Sequence, residues 1–200
     1  MSEPALTPER ILDAAEDVLS RYGLAKATVL DVARALGVSH GSVYRHFDSK
    51  VALREAVAAR WLSRISEPLD RVIAAPEPAS ALARIRRWFD VLIAAKHQKL
   101  VDEPELFATY VALAGESREV IRRHVSHLTG QLQVLLDEGV ASGELQGTDT
   151  AANARALFDA TARFHNPVHA AEWSDPGIQE AFDGVWALLA AGLTRGRAAV

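Results

Sequence analysis

The chain has 200 residues, of which 49% are hydrophobic and 24% are charged, a composition typical of a globular protein. It contains no cysteine, which excludes disulfide bonds and cysteine-ligated zinc. No stretch approaches the ~20 consecutive apolar residues of a membrane span. The polar segment Met1–Arg10 does not resemble a secretory signal, so we expect a cytoplasmic protein.

The net charge of −4 does not favour binding to nucleic acid, but the charges are unevenly distributed. Between Lys26 and Lys50, four basic residues stand against two acidic ones, and the flanking segments hold the acidic excess. A small basic surface on an acidic chain is typical of a protein that contacts DNA with one face.

Apolar residues recur at helical spacing along the whole chain, and no convincing run alternates with the period of two that marks a strand. The first helix is predicted to begin at Thr7-Pro8 and to stop at Gly23. Two short helices follow, at about 28–36 and 39–46. The first helix should bury a stripe of Ile11, Ala14, Ala15, Val18, Leu19 and Tyr22.

A fourth helix is predicted to begin after a cap at Asp48 or Ser49, and Pro68 should kink or end it. Ala75–Pro78 is the best candidate for a linker. We predict an all-α fold of about nine helices, with a three-helix head at 1–54 and a larger helical body at 55–200. The later helices should lie near 80–98, 104–114, 117–142, 149–172 (interrupted at Asn166-Pro167) and 177–195, and the fourth helix should point Leu53, Val57, Trp61 and Ile65 inward.

The segment Thr28–Lys50 has the pattern of a helix-turn-helix. Its first helix has one apolar face, and Gly37 permits the sharp turn that follows. Ser39 should cap the second helix, which fits a DNA major groove. Arg45 can make two hydrogen bonds to a guanine. The polar face of the second helix carries His40, Gly41, Ser42, Tyr44, Arg45 and His46, whereas Val43 and Phe47 should be core.

This stretch resembles the tetracycline-repressor (TetR) family, densely over about the first 55 residues and elsewhere only in length and number of helices. The resemblance implies phosphate contacts from Thr28, Tyr44, His46 and Lys50, and positions in or near the groove for Ser39, His40, Gly41 and Arg45. His40 is a departure, because many relatives carry lysine or arginine there. The matching residues are Ala14-Ala15, Thr28-Val29, Asp31-Val32-Ala33, Gly37-Val38-Ser39, Gly41–Phe47, Lys50 and Leu53.

The resemblance also implies that the body binds a small effector and forms a homodimer, through its last two helices. The last helix is apolar on more than one face and carries the small residues Ala181, Gly184, Ala190 and Gly192. A helix that is apolar over a wide arc needs partners on two sides, and one of them can be a second subunit. A central helix in a monomer would have the same pattern.

Aromatic and polar residues of the body suggest an effector pocket of mixed character, although each of them also fits an ordinary core. Arg163 can pair with an anionic effector or form a surface salt bridge. The predicted pocket residues are Trp88, Phe107, Tyr110, His127, Phe158, Arg163 and His165.

Two pairs of histidines are spaced so that each pair shares one helical face: His124 with His127, and His165 with His169. Together they can bind a divalent metal, line the pocket, or lie in the core or on the surface.

The sequence therefore predicts a ligand-responsive repressor that binds a palindromic operator as a homodimer, with no cofactor and no membrane contact. The main alternative is a metal-dependent enzyme or metal sensor that uses the body histidines, although no nucleophile motif or phosphate loop accompanies them. A third possibility is an adaptor whose helix-turn-helix packs against another protein.

Overall fold

A computed structural model of the chain describes residues 5–74, 80–116 and 118–194, except for the side chains of 113–116. Over these ranges the chain forms ten α-helices, one 3-10 helix and no strand, which confirms the all-α prediction. The predicted linker Ala75–Pro78 and the last residue of the predicted final helix lie outside the described residues. No helix within these ranges is both long and apolar enough to cross a membrane.

The helices follow one another along the chain with short connections. In chain order they are α1 Pro8–Lys26, α2 Val29–Leu36, α3 His40–Tyr44, α4 Lys50–Ala74, α5 Ala81–Asp102, α6 Pro104–Glu116, α7 Arg118–Ala141, α8 Thr150–Ala160, α9 Ala162–His165, a 3-10 helix Pro167–Glu172 and α10 Ile178–Thr194.

The helices group into two compact units. The first unit contains the chain up to Ser63 together with Lys99–Arg122, and the second contains Arg64–Gln98 and the chain from Arg123 onward. The sequence predicts a boundary at residue 54 between a DNA-binding head and a helical body. This functional division differs from the division into compact units, and it stays a prediction.

In the first unit, α1 packs against α2 and α6. The Thr7 side chain caps α1 by accepting a hydrogen bond from the Arg10 N–H, and Gly23 interrupts the helical geometry with a φ of 71°. The predicted stripe is buried from Ile11 to Leu19. Its last member was predicted wrongly: Tyr22 is 53% exposed, because it lies on the final turn before Gly23, where the side chain has left the core.

The N-terminal part of α4 joins the same unit through a buried tryptophan. The Trp61 indole N–H donates to Glu103 Oε2 over 2.7 Å, and the Trp61 ring lies 5.9 Å from the Phe107 ring and 5.2 Å from the Tyr110 ring. The preceding residue, Arg60, pairs with Glu16 of α1. These contacts bring α4, α1 and α6 around one core.

The predicted start of α4 is confirmed, and the helix runs past the proline that was predicted to kink or end it. Ser49, and not Asp48, caps the helix, because its hydroxyl accepts a hydrogen bond from the Ala52 N–H at 3.0 Å. Pro68 lies inside the helix, which continues to Ala74, so the proline does not end it. The predicted inward residues Leu53, Val57, Trp61 and Ile65 are all buried.

In the second unit, aromatic residues of α5 form the centre of the core with leucines of α7. The Phe89 ring lies 5.1 Å from that of Trp88 and 6.3 Å from that of Phe182 in α10. The Glu144 carboxylate accepts hydrogen bonds from the backbone N–H groups of Ala81 and Leu82, which have no partner within the first turn of α5. The buried leucines of α7 are Leu128, Leu132, Leu135 and Leu136.

The segment 150–172 is broken twice, where the sequence predicted one break. The predicted break is present at Asn166, which has extended backbone angles and caps the 3-10 helix through its side chain. A second break lies at Thr161, whose hydroxyl donates to the Leu157 carbonyl oxygen at 2.9 Å. Hydroxyl groups bonded to the preceding turn in this way compete with regular helix geometry.

Gly139 of α7 provides a test of this packing. A Cβ atom added there would lie 2.6 Å from Leu145 Cγ and 2.8 Å from Ala81 Cβ. We expect Gly139→Ala to lower the free energy of unfolding by ~1–3 kcal/mol, because a well-packed core resists added volume. Chemical denaturation measures the change.

Gly130 of the same helix is the matched control, since a Cβ atom there meets nothing within 4 Å. Gly130→Ala should raise the free energy of unfolding by ~0.5–1 kcal/mol through helix propensity alone. Equal effects of the two substitutions would contradict the close approach at Gly139.

Candidate functional site

The helix α2 is fixed at its start by a reciprocal cap between Thr28 and Asp31. The Thr28 hydroxyl oxygen accepts a hydrogen bond from the Asp31 N–H at 3.2 Å, and the Asp31 carboxylate accepts one from the Thr28 N–H at 3.1 Å. The hydrogen bond from the Thr28 hydroxyl to the same carboxylate holds the pKa of Asp31 below its usual value. The Thr28 side chain is therefore already engaged within the protein.

The turn between α2 and α3 is as the sequence predicts. Gly37 has a φ of 68°, in the left-handed region that favours glycine, and its N–H closes the end of α2. Ser39 then caps α3, because its hydroxyl oxygen accepts a hydrogen bond from the Ser42 N–H at 3.2 Å. The chain is thus turned sharply and restarted as a helix within three residues.

One side of α3 is anchored and the other is exposed. Val43 is fully buried, whereas Phe47, also predicted as core, is only partly buried. The Arg45 guanidinium donates to the Ser42 hydroxyl at 3.1 Å, and the His40 ring meets the Tyr44 ring edge-on at 4.6 Å. Of the predicted DNA contacts, Thr28, Ser39, His40, Gly41, Arg45, His46 and Lys50 are exposed, and Ser42 and Tyr44 are half-buried.

Gly41 lies on the exposed side of α3 with room around it. An added Cβ atom would come no closer than 3.9 Å to the Ser39 hydroxyl, and the φ of Gly41 is not in the left-handed region. Neither the packing nor the backbone of the head therefore requires glycine at this position. The open space leaves the helix backbone accessible to a surface outside the protein.

The residues predicted for an effector pocket are distributed over both units. Phe107 and Tyr110 belong to the core of the first unit. In the second unit, the Trp88 indole N–H donates to Gln131 Oε1 at 3.1 Å, and Gln131 Nε2 lies 3.4 Å from His127 Nε2. Gln131, which flanks the apolar stripe of α7 and is not among the predicted pocket residues, thus connects two of them.

Phe158 and His165 are brought together, whereas Arg163 is not part of their cluster. The rings of Phe158 and His165 lie 4.4 Å apart, and His165 Nε2 is 3.2 Å from the Phe158 carbonyl oxygen and 3.1 Å from the Thr161 hydroxyl. Arg163 is exposed and pairs with Glu172 at 2.8 Å. Of the two arrangements predicted for Arg163, an anionic effector or a surface salt bridge, the structure has the salt bridge.

Two cavities open on the second unit. One, of about 410 Å³, is lined by residues that include His97, Phe164 and Phe182. The other, of about 370 Å³, is lined by Asp70, His127, Gln131 and Val134 among others. Of the predicted pocket residues, only His127 is among those that line these two cavities, and it lines the second.

The histidines predicted as metal ligands are not gathered into one site. In the part of the chain that the structure describes, no group of three or more His, Asp or Glu side chains is placed to hold a metal ion. His169 Nδ1 lies 2.9 Å from Glu172 Oε1, and His127 Nε2 lies 4.0 Å from Asp70 Oδ1. The hypothesis of a metal centre at His124, His127, His165 and His169 is not supported.

Among the described residues of the second unit, three basic side chains are buried. Lys96 is 3% exposed, His124 is 7% exposed and His165 is 1% exposed. Burial lowers the pKa of Lys96 to about 8, so its ammonium group is charged at neutral pH. Burial, and next the charge of Lys96, lower the pKa of both His124 and His165 to about 3, so both rings are neutral.

A capped helix-turn-helix with a polar exposed helix, on an all-α chain, is the arrangement of a DNA-binding transcriptional regulator. A family model described as "Bacterial regulatory proteins, tetR family" matches residues 11–57, and one described as "Tetracyclin repressor-like, C-terminal domain" matches residues 81–186. The chain therefore belongs to the tetR family of bacterial regulatory proteins.

Similar proteins include regulators with known structures. The "Fatty acid metabolism regulator protein" of Bacillus subtilis is 25% identical over 154 residues, which are 74% of this chain and 76% of that protein. The structure of SmeT, the repressor of a Stenotrophomonas maltophilia multidrug efflux pump, has a TM-score of 0.66 at 21% identity and covers 98% of this chain and 94% of that one. The structure of the regulator FadR from Bacillus subtilis in complex with stearoyl-CoA has a TM-score of 0.63 at 19% identity, with coverage of 94% and 100%.

These likenesses to solved structures show the fold. The family models and the named relatives identify a transcriptional regulator, and the alternative of a metal-dependent enzyme is not supported.

The buried histidines predict a specific dependence of stability on pH. In the unfolded chain the rings bind protons below about pH 6.5, whereas in the folded protein they do so only near pH 3. The unfolded state therefore binds more protons in this window, and the free energy of unfolding falls as the pH falls. Each ring adds a slope of up to ~1.4 kcal/mol per pH unit.

Replacing one ring should flatten this slope. We expect His124→Leu to lose less stability than the unsubstituted protein between pH 6.5 and pH 5, as measured by urea unfolding at each pH. The control is His46→Leu, which removes an exposed imidazole from the head. A slope that His124→Leu leaves unchanged would show that the His124 ring is protonated in the folded protein.

Proposed function

We propose that the protein is a ligand-responsive repressor that binds a palindromic operator as a homodimer. The observation that carries this proposal is the exposed polar side of α3, which is held by the buried Val43 and by the caps at Thr28 and Ser39. A helix presented in this way fits the major groove, and its first residues meet the base edges.

The proposed contacts fall into two classes. Ser39, His40, Gly41, Ser42 and Arg45 would lie in or near the groove, where base edges are read. Thr28, Tyr44, His46 and Lys50 would contact phosphates, which position a protein on DNA without selecting a sequence. Since the Thr28 hydroxyl is engaged with Asp31, we expect Thr28 to contribute mainly by holding α2 in place.

The surface of α10 supports dimerisation through α8 and α10. Along this apolar helix, only Phe182 and Leu193 are buried among the described residues, and Leu188 is 78% exposed. Gly184 and Gly192 lie on the exposed part and permit close approach of a second helix. A two-fold dimer would space two α3 helices for successive major grooves, roughly 34–36 Å apart.

The proposed mechanism is release of DNA on effector binding. The effector would favour a body conformation in which α4 shifts and the two heads lose the spacing of the operator. A ligand moves such an equilibrium only by its differential affinity for the two conformations. A regulator of this kind acts on chromosomal DNA, so we place the protein in the cytoplasm.

The identity of the effector is open to direct test. One relative is named for fatty acid metabolism, and one similar structure holds stearoyl-CoA, so acyl compounds are the first effectors to examine. The predicted effector contacts that lie in the second unit remain a proposal, and they are Trp88, His127, Phe158, Arg163 and His165.

Selection of bound fragments from random DNA at low salt tests the proposal. We expect a two-fold symmetric sequence, bound by a dimer with an affinity that falls steeply as salt rises, because phosphate contacts release counterions. Repeating the selection in the presence of acyl compounds shows whether they release the protein from DNA. Binding that shows neither symmetry nor salt dependence would instead favour an adaptor that contacts protein.

Arg45→Ala separates base reading from phosphate contact. If Arg45 reads a base, the substitution should weaken operator binding by ~1–3 kcal/mol and leave binding to random DNA nearly unchanged. Fluorescence anisotropy with both DNAs measures the difference. An equal loss on the two DNAs would place Arg45 on the phosphate backbone.

Gly41→Ala separates DNA approach from folding. Because the fold has room for a methyl group there, we expect the substitution to leave the thermal unfolding temperature unchanged or slightly raised. Operator affinity should nevertheless fall, since the methyl group keeps the α3 backbone away from the groove. Unchanged operator affinity in a stably folded variant would show that DNA does not approach Gly41 closely.

A further inference from the structure

The cavity between α4 and α7 has both polar and apolar lining residues. Its volume of about 370 Å³ lies within the range of ~300–1,000 Å³ that is typical of sites for small molecules. Val134 is 41% exposed, so the cavity opens apolar surface to a ligand. The lining includes Asp70 and Ile73 of α4, and His127, Gly130, Gln131 and Val134 of α7.

A chain of hydrogen bonds from the core holds the polar residues of this cavity in place. It begins at the fully buried Trp88, whose indole N–H donates to Gln131 Oε1 at 3.1 Å. Because this bond identifies the oxygen of the amide, Gln131 Nε2 is the donor to Asp70 Oδ1 at 2.6 Å. Gln131 Nε2 also lies 3.4 Å from His127 Nε2, which is the acceptor because an amide nitrogen only donates. The N–H groups of Gln131 are thus used within the protein.

The polar residues therefore offer hydrogen-bond acceptors and a negative charge to a ligand. Among the described residues, Asp70 accepts its hydrogen bond through Oδ1, which leaves Oδ2 for a ligand. No lysine or arginine is among the described residues that line the cavity, and Arg71 and Arg123, which are close to it in sequence, are exposed to solvent. A ligand that supplies N–H donors and a positive charge complements such a site.

We propose that this cavity binds an effector that carries a primary ammonium group, which donates hydrogen bonds to the Asp70 carboxylate. The apolar part of the effector packs against Ile73 and Val134. The assignment rests on the proposed function, because it gives a chemical class to the effector. Asp70 and Ile73 lie on α4, the helix that the proposed mechanism requires to shift.

Two other classes of ligand fit the cavity less well. A carboxylate, such as that of a fatty acid, would face the Asp70 carboxylate and be repelled. A metal ion needs several ligands, and no group of three or more His, Asp or Glu side chains in the described part of the chain is placed to hold one. An alkylammonium ion needs one carboxylate and an apolar surface, and the cavity supplies both.

The test compares amines with uncharged and anionic analogues on the full chain. Hexylamine, octylamine and phenethylamine are titrated by calorimetry at neutral pH beside hexanol, octanol and phenethyl alcohol, with octanoate as the anion. We expect at least one amine to bind at least about tenfold more tightly than its alcohol, and octanoate to bind more weakly than octylamine. If no amine reaches this preference, or if octanoate binds as tightly as octylamine, the proposal is wrong.

Asp70→Asn identifies the carboxylate. The oxygen of asparagine can still accept from Gln131, so the substitution removes the charge and keeps the shape of the site. Amine affinity should fall on the order of tenfold, the value of a hydrogen bond to a charged group, and alcohol affinity should be unchanged.

Asp175→Asn is the matched control, because it removes an exposed carboxylate of the same unit that does not line the cavity. It should keep the full preference for amines. A preference that survives in Asp70→Asn, or an equal loss in Asp175→Asn, contradicts a site at Asp70.

Gly130→Leu tests the apolar part of the cavity. A Cβ atom at Gly130 meets nothing within 4 Å, so a side chain there extends into open space. The substitution should weaken octylamine and octanol to a similar extent, because it takes up volume that both ligands use. The unfolding temperature should not fall, since leucine favours a helix more than glycine does. Unchanged octylamine affinity in this folded variant would place the amine outside the cavity and overturn the assignment.

Operator binding is measured in parallel, so that this assignment and the proposed function fail separately. Amine binding that depends on Asp70 but does not release the operator supports the cavity site and contradicts effector-driven release. Release by octanoate but not by the amines supports a ligand-responsive repressor and contradicts an ammonium effector.

Discussion

The left-handed turn at Gly37 is the constraint on which the DNA-binding surface depends. A side chain with a Cβ atom is strained at a φ of 68°, so the direction in which α3 leaves α2 rests on this glycine. The helix α3 has only five residues, too few to be stable alone, and it forms because Ser39 caps it and Val43 anchors it. The polar side chains are thereby aimed outward without contributing to the core themselves.

The modest charge of the head makes the dimer part of the mechanism. Arg34 faces Asp31 over 3.6 Å, so one of the four basic residues of the segment is partly balanced within the head. A single head would therefore neutralise few phosphates and bind DNA weakly. Two heads on one two-fold dimer act at the same time on one operator, which raises affinity without any new contact. The weakly charged surface of α3 therefore needs a second head beside it on the operator.

Sequence reasoning succeeded where the determinants are local. The caps at Thr28 and Ser39, the turn at Gly37 and the break at Asn166 are each specified by residues within a few positions of one another. Sequence reasoning failed for Tyr22, because the spacing of apolar residues along α1 does not show where the neighbouring helices cease to cover its apolar face. It also did not predict the contacts of Gln131, whose partners Trp88 and Asp70 are distant in sequence.

The sequence did carry a signal that Lys96 is buried. This residue follows Trp88 and Leu92 at intervals of four on the buried face of α5, so a charge stands in a position that the period assigns to the core. Periodicity can flag such a residue but cannot supply its surroundings, which here come from α7 and α9.

A body whose core contains buried histidine nitrogens without a hydrogen-bond partner gives up some stability. An apolar core of similar volume would be more stable, as replacements of buried ionic groups show in other proteins. A ligand that satisfied these nitrogen atoms would stabilise, by mass action, the conformation to which it binds. Switching requires a difference in the affinity of the ligand for the two conformations. The body, with its unsatisfied histidine nitrogens, is therefore suited to respond to a ligand. The head, whose helices α2 and α3 are both capped, is suited to hold a fixed surface.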